Sequence, residues 1–253
     1  MDQKPRNFDR KADVLMSKAL FLEDSYRKTA PARVMEITPD GEIILDECLF
    51  YATSGGQPSD TGVLKYEGRA VPILECKKGE EGAMLLVPEV CDHCIPVGAS
   101  VEQEIDFERR YKHMRMHTAL HLLSVVIPLP VTGGAITAEK GRLDFDMPEA
   151  PEDKEALSHQ LNHLIQSDLC VSEQWITQEE LDEQPELVKT LSVKPPRGSG
   201  LIRLVRIGTA QSQTDFQPCG GTHVNRVSEI GPMRVSKIEK KGRQNRRVHI
   251  VFD

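Results

Sequence analysis

The sequence has no run approaching the roughly 20 consecutive apolar residues that a membrane-spanning helix needs. Its first residues, Met1-Asp-Gln-Lys-Pro-Arg-Asn7, carry no apolar signal core. A soluble cytoplasmic protein is therefore expected, with no membrane association and no obligate protein partner. Internal repeats and low-complexity segments are also missing, so no repeat architecture is expected. A basic excess is missing too. The 32 Lys and Arg against 39 Asp and Glu leave a net charge of −7, which argues against a generally basic nucleic-acid coat. The six cysteines stand at irregular spacing and fit reduced thiols better than a disulfide framework. The one C-x-x-C, Cys91-Asp-His-Cys94, lacks a second pair to complete a zinc site and a thioredoxin-like setting for redox work. It reads as loop cysteines. Cys48, Cys76 and Cys170 read as small hydrophobes.

A chain of 253 residues, 39% hydrophobic and 28% charged, is long enough for two globular domains. Residues 1–16 are polar and aperiodic, and are expected to be a flexible extension. From 17 to 106 the pattern is short strands and turns. Arg33-Val-Met-Glu-Ile-Thr38, a Pro39-Asp40-Gly41 turn and Glu42-Ile-Ile-Leu-Asp46 predict a hairpin. Ala70-Val-Pro-Ile-Leu74, Ala83-Met-Leu-Leu-Val87 and the weaker Val101-Glu-Gln-Glu-Ile-Asp106 predict further strands, which together suggest a small β-barrel. Composition shifts at Phe107. Helices are expected at 107–127, at 153–169 (Leu157, Leu161, Leu164 and Ile165 at helical spacing) and within 178–191, broken at Pro185. Strand-like stretches follow Pro130 through Leu143-Asp-Phe-Asp146. A strand is expected at 201–208, and a closing hairpin from 233–238 and 247–252. The expected fold class is α+β: a small N-terminal β-barrel (17–106) followed by a mixed α/β domain (107–253) with antiparallel sheet.

Within 107–127, where neither Gly nor Pro occurs, stands His117-Thr-Ala-Leu-His121. Residues four apart share a helix face, so both imidazoles can point at one ion. Far down the chain Cys219-Gly-Gly-Thr-His223 offers a thiolate and a third imidazole. Three nitrogens and a sulfur make a tetrahedral set that suits zinc. His113 lies on the same helical stripe, but eight residues of helix span roughly 12 Å, so one ion cannot reach all three. His117 and His121 are chosen, and His113 is read as a face residue or a contact behind the ligands. His159 and His163, also four apart, have no second motif and read as solvated or capping residues. Near the C-terminus Lys237-Ile-Glu-Lys-Lys-Gly-Arg-Gln-Asn-Arg-Arg247 is a local basic strip, read as facing phosphate.

These motifs have company. Gly55-Gly-Gln-Pro-Ser-Asp-Thr-Gly62 suits a tight turn where backbone approaches something closely. With Asp106-Phe-Glu-Arg-Arg-Tyr111, the His117 and Cys219 motifs, Leu143-Asp-Phe-Asp146 and Lys241-Gly-Arg-Gln-Asn-Arg-Arg247, it resembles the AlaX family of alanyl-tRNA editing proteins, in its medium-length form. The family is related to the editing domain of alanyl-tRNA synthetase. The resemblance implies a zinc-dependent aminoacyl-tRNA deacylase that clears tRNA(Ala) mischarged with serine, and secondarily glycine. It carries His117, His121, Cys219 and His223 over as zinc ligands. Gly55, Gly56, Gln57, Asp60, Thr61 and Thr118 become the substrate pocket, and Lys240, Lys241, Arg243, Arg246 and Arg247 the tRNA contacts. Two departures, Leu120 and Thr132-Gly-Gly-Ala135, fall where the synthetase domain often has Thr and Gln-Lys-Gly-Ser. No Glu accompanies the helix pair as in H-E-x-x-H, so no general base is assigned. The competing readings are a non-enzymatic RNA-binding module with structural zinc, and a zinc hydrolase of another aminoacyl ester.

Overall fold

The computed structural model describes residues 17–151, 153–188 and 200–253. The expected extension at 1–16 and the end of the 178–191 segment lie outside them. In chain order the strands before the long helix are β1 (Lys18–Ala19), β2 (Thr29–Ile37), β3 (Ile43–Leu45), β4 (Glu47–Cys48), β5 (Gly62–Tyr66), β6 (Arg69–Lys78), β7 (Met84–Pro88) and β8 (Ser100–Ile105). Helix α1 (Phe107–Val126) leads into β9 (Val131–Ile136), β10 (Lys140–Asp146) and α2 (Lys154–Gln166). Then come β11 (Val171–Thr177), α3 (Gln178–Asp182), β12 (Leu201–Gly208), β13 (Gln213–Pro218), β14 (Met233–Lys240) and β15 (Asn245–Phe252).

Six strands close a barrel in the order β2-β3-β7-β6-β5-β8. Closure depends on β2 changing neighbours: Thr29 to Arg33 pair with β8, and Val34 to Ile37 pair with β3. Pro31 sits in the half that pairs only with β8, where its missing N–H costs least. The interior is apolar, built around Leu20, Ile43, Leu64, Ile73, Leu86 and Val101. The small barrel read from the strand pattern is present, and so is the predicted 39–41 hairpin.

Only Asp106 separates the barrel from α1. Its carboxylate accepts from the Arg109 N–H at 3.0 Å, capping the helix, while its own N–H donates to the Thr61 carbonyl at 2.8 Å. Helix α1 and helix α2 pack on the four-stranded antiparallel sheet β14-β15-β10-β9 around Met114, Leu123, Phe145, Leu161 and Val248. Each edge of this sheet is engaged in part by groups from outside it, which shortens the free template for stray pairing. Along β14, Asn162 donates to the Met233 carbonyl and accepts from its N–H, and Ser158 accepts from Val235. Along β9, the Ile136 N–H donates to the carbonyl of Gly56 at 2.9 Å. Gly56 lies at φ +84°, and a Cβ there would sit 2.5 Å from the Gly134 carbonyl oxygen, so only glycine lets turn and strand touch. A three-stranded antiparallel sheet, β11-β12-β13, carries α3 on one face.

Residues 178–188 of the expected 178–191 segment fold as α3, then a 3-10 turn at Pro185–Leu187 with the proline at its start. Cys48 and Cys76 are buried in the barrel, whereas Cys91 and Cys94 are exposed, and all six cysteines are free. Cys170 corrects the expectation of a small hydrophobe. It is exposed, and its sulfur accepts from Arg226 at 3.2 Å. His159 and His163 are both exposed on α2. Among the described residues, no helix is long and apolar enough to cross a membrane.

One ion pair joins the barrel to α1. Arg110 and Asp60 are both fully buried. The Arg110 Nε donates to the Asp60 carboxylate at 2.9 Å, Nη1 to the Ser25 carbonyl at 3.1 Å and Nη2 to the Leu49 carbonyl at 2.8 Å. Asp60 also accepts from the Tyr51 N–H at 2.6 Å. Asp60→Ala leaves the guanidinium buried without its counter-charge, and should cost about 3–5 kcal/mol of stability, read as a drop in the urea midpoint.

Candidate metal centre

Four donors converge where α1, the loop after β13 and the glycine turn meet. His117, His121, Cys219 and His223 each offer one ligand atom, all within 4.8 Å of one another. The two helix histidines point the same way because they stand one turn apart, with ring centroids 5.4 Å apart. Cys219 lies beside them because β13 ends at Pro218 and the ladder continues one step, the Cys219 N–H donating to the Arg203 carbonyl at 3.1 Å. Its sulfur is 3.5 Å from His117 Nε2 and 3.2 Å from His223 Nε2. His113 stays outside the set, as the spacing argument requires.

Each imidazole is held through Nδ1 by a different kind of side chain. Gln57 Oε1 meets His117 at 2.9 Å, Asp215 Oδ2 meets His121 at 2.8 Å, and Thr118 Oγ1 meets His223 at 3.1 Å. This leaves every Nε2 for the centre, and such bonds fix ring orientation and ligand basicity in metal sites. Gln57 is itself locked, Nε2 donating to Thr222 Oγ1 at 2.9 Å and Oε1 accepting from the Thr222 N–H at 3.2 Å. Gln217 braces Asp215 at 2.9 Å. Gly221 makes room for the assembly: a Cβ there would lie 2.2 Å from His117 Cε1.

The electrostatics suit a cation. Burial opposes ionisation of the Cys219 thiol, yet the imidazoles of His117 and His223 outweigh it and hold its pKa well below the thiol range. Burial likewise opposes a charge on His121, but the bond to Asp215 and the Cys219 thiolate lift it to about 9. Burial dominates at His223 and lowers it to about 3, keeping that ring neutral. The soft sulfur and three imidazoles fit a zinc-like divalent ion, whose binding would displace the His121 proton. His121 and His223 are buried while His117 and Cys219 are partly exposed, so the site opens on the His117–Cys219 side.

The other expected site residues fall in distinct places. Gly55 and Gly56 are exposed in the turn. Gln57 is fully buried against His117. Asp60 and Thr118 have no exposed surface; Thr118 stands behind His223, whereas Asp60 is held by Arg110 and the Tyr51 N–H. Thr61 is partly exposed. In the basic strip Lys240, Lys241 and Arg243 are exposed. Arg246 is turned inward onto the carbonyls of Gly242, Asn245 and Pro148. Arg247 is bound to Asp144 by two hydrogen bonds of 2.7 and 2.8 Å. Both arginines are committed within the fold. Asp215 and Gln217 were missed by the sequence reading, although their spacing with Cys219, two residues apart each time, is a strand-face signal.

Comparison with known proteins now has a geometry to attach to. The family described as threonyl and alanyl tRNA synthetase second additional domain matches residues 202–249, and the class II (A) tRNA synthetase family matches residues 11–109. Fold, donor cluster and matched segments define an aminoacyl-tRNA editing enzyme, a deacylase. The alanyl-tRNA editing protein AlaX-M of Methanosarcina barkeri is 34% identical over 246 residues, covering 94% of this chain and 99% of the relative. AlaX-M of Saccharolobus solfataricus is 33% identical, covering 92% and 98%. The alanine–tRNA ligase of Pyrobaculum neutrophilum is 30% identical over 253 residues, but this chain spans only 27% of it. The chain belongs to the AlaX-M family of alanyl-tRNA editing proteins.

Two outcomes follow from the site. Removing the carboxylate that orients His121, by Asp215→Ala, should weaken divalent-metal binding roughly 10–100-fold, measured by competition with a chromophoric chelator. The buried His113 has neither ring nitrogen hydrogen-bonded among the described residues, and burial lowers its pKa to about 4. Its folded pKa lies below the ordinary value of 6.5. The unfolded chain therefore takes up the proton first, and stability present at neutral pH is lost as pH falls from about 6.5 toward 4. His113→Leu should flatten that loss in urea titrations at pH 7 and pH 5.

Proposed function

We propose that this deacylase clears tRNA(Ala) mischarged with serine, and secondarily glycine, acting in trans in the cytoplasm with zinc held by His117, His121, Cys219 and His223. The observation that carries the reading is the convergence of those four donors on the side where His117 and Cys219 are exposed, in a chain whose AlaX-M relatives match over nearly their whole length. When bound, zinc supplies Lewis-acid polarisation of the ester carbonyl. The aminoacyl ester is already activated, so the remaining demand on the protein is positioning. Gln57, Asp215 and Thr118 meet that demand by keeping three imidazoles fixed from behind. Closed four-ligand sites are usually structural; here the partly exposed ligand pair is the side on which the ester approaches.

Editing is useful because a site built for alanine cannot strongly exclude a molecule that merely adds a hydroxyl, or one smaller by a methyl group. A second pocket that hydrogen-bonds the serine hydroxyl corrects the first error. Gly55 and Gly56 form its backbone wall. Gln57 and Thr118 are committed to the histidines, so Thr61 is the remaining hydroxyl partner. Lys240, Lys241 and Arg243 contact acceptor-stem phosphates, while Arg246 and Arg247 shape the loop that presents them.

The decisive experiment is hydrolysis of Ser-tRNA(Ala) with and without a chelator, beside Gly- and Thr-charged tRNAs. Serine should be cleaved fastest and the chelator should stop it, with activity restored by added zinc. Cys219→Ala should abolish turnover. Replacing Lys240, Lys241 and Arg243 by Ala should weaken tRNA binding and flatten its salt dependence. Full turnover in verified metal-free protein would overturn the zinc reading, and no turnover on any charged tRNA would favour a binding module.

A further inference from the structure

The chain has one tryptophan, and Trp175 is 46% exposed. Among the described residues, it is the sole aromatic among the exposed large hydrophobics. Its position follows from strand register. Trp175 on β11 pairs with Arg203 on β12, and the ladder from β12 to β13, where Leu204 meets Pro218, extends one step to set Arg203 beside Cys219. Directly opposed residues in antiparallel strands project from the same face. Cys219, Arg203 and Trp175 therefore stand side by side on one face of the sheet, across adjacent strands. Two strand spacings put Trp175 roughly 10 Å from the metal-competent cysteine, the scale of a nucleoside carrying an ester.

That face is not the one packed by α3. The α3 side carries Ile176, Ile202 and Leu204 in an apolar cluster, whereas the Trp175 side carries Asp215, Gln217 and Cys219, all belonging to the metal centre. Arg203, 5% exposed, ties the row together: its Nη1 donates to the carbonyls of Cys219 at 3.0 Å and Gly221 at 2.7 Å, and its Nη2 pairs with Glu173. Its charge is thereby committed within the protein. Leu201, 50% exposed and two residues along β12 on the same face, extends the apolar surface beside the indole.

We propose that Trp175 is the stacking platform for the unpaired terminal base of the tRNA 3′ end, seating the nucleotide whose ribose carries the ester at the metal centre. Unpaired bases are characteristically held by stacking on exposed aromatic rings, with little dependence on sequence. The occupant follows from continuity with the open side of the metal centre. Trp175 is a positioning residue and takes no part in bond cleavage. This inference rests on the deacylation reading above, so its test separates the two.

With a single tryptophan, emission excited at the red edge of the indole band, where tyrosine does not absorb, reports on this residue alone. The probes are an uncharged tRNA(Ala) acceptor minihelix ending in its complete 3′ sequence and the same minihelix lacking the terminal adenosine. The complete minihelix should quench Trp175 emission in the full-length protein, and the shortened one should quench much less. Trp175→Ala should raise KM for Ser-tRNA(Ala) about tenfold, with most of the loss falling on KM, and Trp175→Phe should recover most of it. Equal quenching by both probes, or none by either, would overturn the inference. So would an unchanged KM in the alanine variant, or a fluorescence change that follows protein concentration without RNA and so marks a dimer. Quenching by the complete minihelix alone, with no wild-type hydrolysis of Ser-tRNA(Ala), would support the stacking contact and remove the deacylation reading.

Discussion

The buried pair of Arg110 and Asp60 is the constraint on which the four-donor cluster rests. From the first third of α1 the guanidinium reaches three separate barrel-side segments, at Ser25, Leu49 and Asp60. Seven residues further along the same helix face stands His117. Three residues before Asp60, in the same loop, stands Gln57, whose side-chain amide oxygen meets His117 Nδ1. The ion pair thus sets the loop's register on the helix two turns below the point where that register matters. A buried pair is a poor source of net stability, because desolvation offsets much of its attraction, and a packed apolar pair could stand in for it energetically. An apolar pair would not aim the loop. Its value lies in direction.

The three imidazoles show the same economy of placement. Their Nδ1 atoms are held by an amide from the barrel loop, a carboxylate from β13 and a hydroxyl from α1 itself. These supports come from three different parts of the fold, so the cluster forms only when barrel, helix and sheet have docked. They also differ chemically. The carboxylate on His121 helps lift that ring to about 9, while burial keeps His223, with only a hydroxyl neighbour, neutral far below the ordinary range. The donors are therefore unequal, and the open side of the site coincides with the pair, His117 and Cys219, that neither a carboxylate nor full burial restrains.

Much of this was legible in sequence because it depends on short-range geometry. Two histidines four apart in a stretch free of Gly and Pro can hardly avoid one helix face, and α1 spans the expected residues. A barrel follows from frequent turn residues between short apolar runs. What could not be read depends on contacts between distant segments. Nothing local in Pro58-Ser-Asp-Thr61 tells that Asp60 will be sealed against an arginine 50 residues away, so it looked like a pocket residue. Thr118 looked available beside a ligand, yet a helix buried at this level turns that hydroxyl back onto Met114 and His223. Asp215 was hidden for the opposite reason. A single carboxylate in a strand is unremarkable until the period-two spacing to Cys219 is noticed.

The basic strip shows how folding revises a charge count. Of five cations assigned to phosphate, Arg246 caps main-chain carbonyls and Arg247 is bound by Asp144, while Lys241 shares Glu239 at 3.4 Å. A protein with net charge −7 and three exposed cations of this strip left for phosphate gains a modest affinity from counterion release, since that gain scales with the number of phosphates neutralised. Backbone attraction brings RNA to the surface without specifying which end enters the site. On the proposed reading, selection for a charged 3′ end comes from contacts near the four-donor cluster, where Cys219, Arg203 and Trp175 stand in a lateral row on one sheet face. In such an arrangement affinity and chemistry are read from the same few residues. Weak anchoring at a distance then helps turnover, because uncharged product has less to hold it.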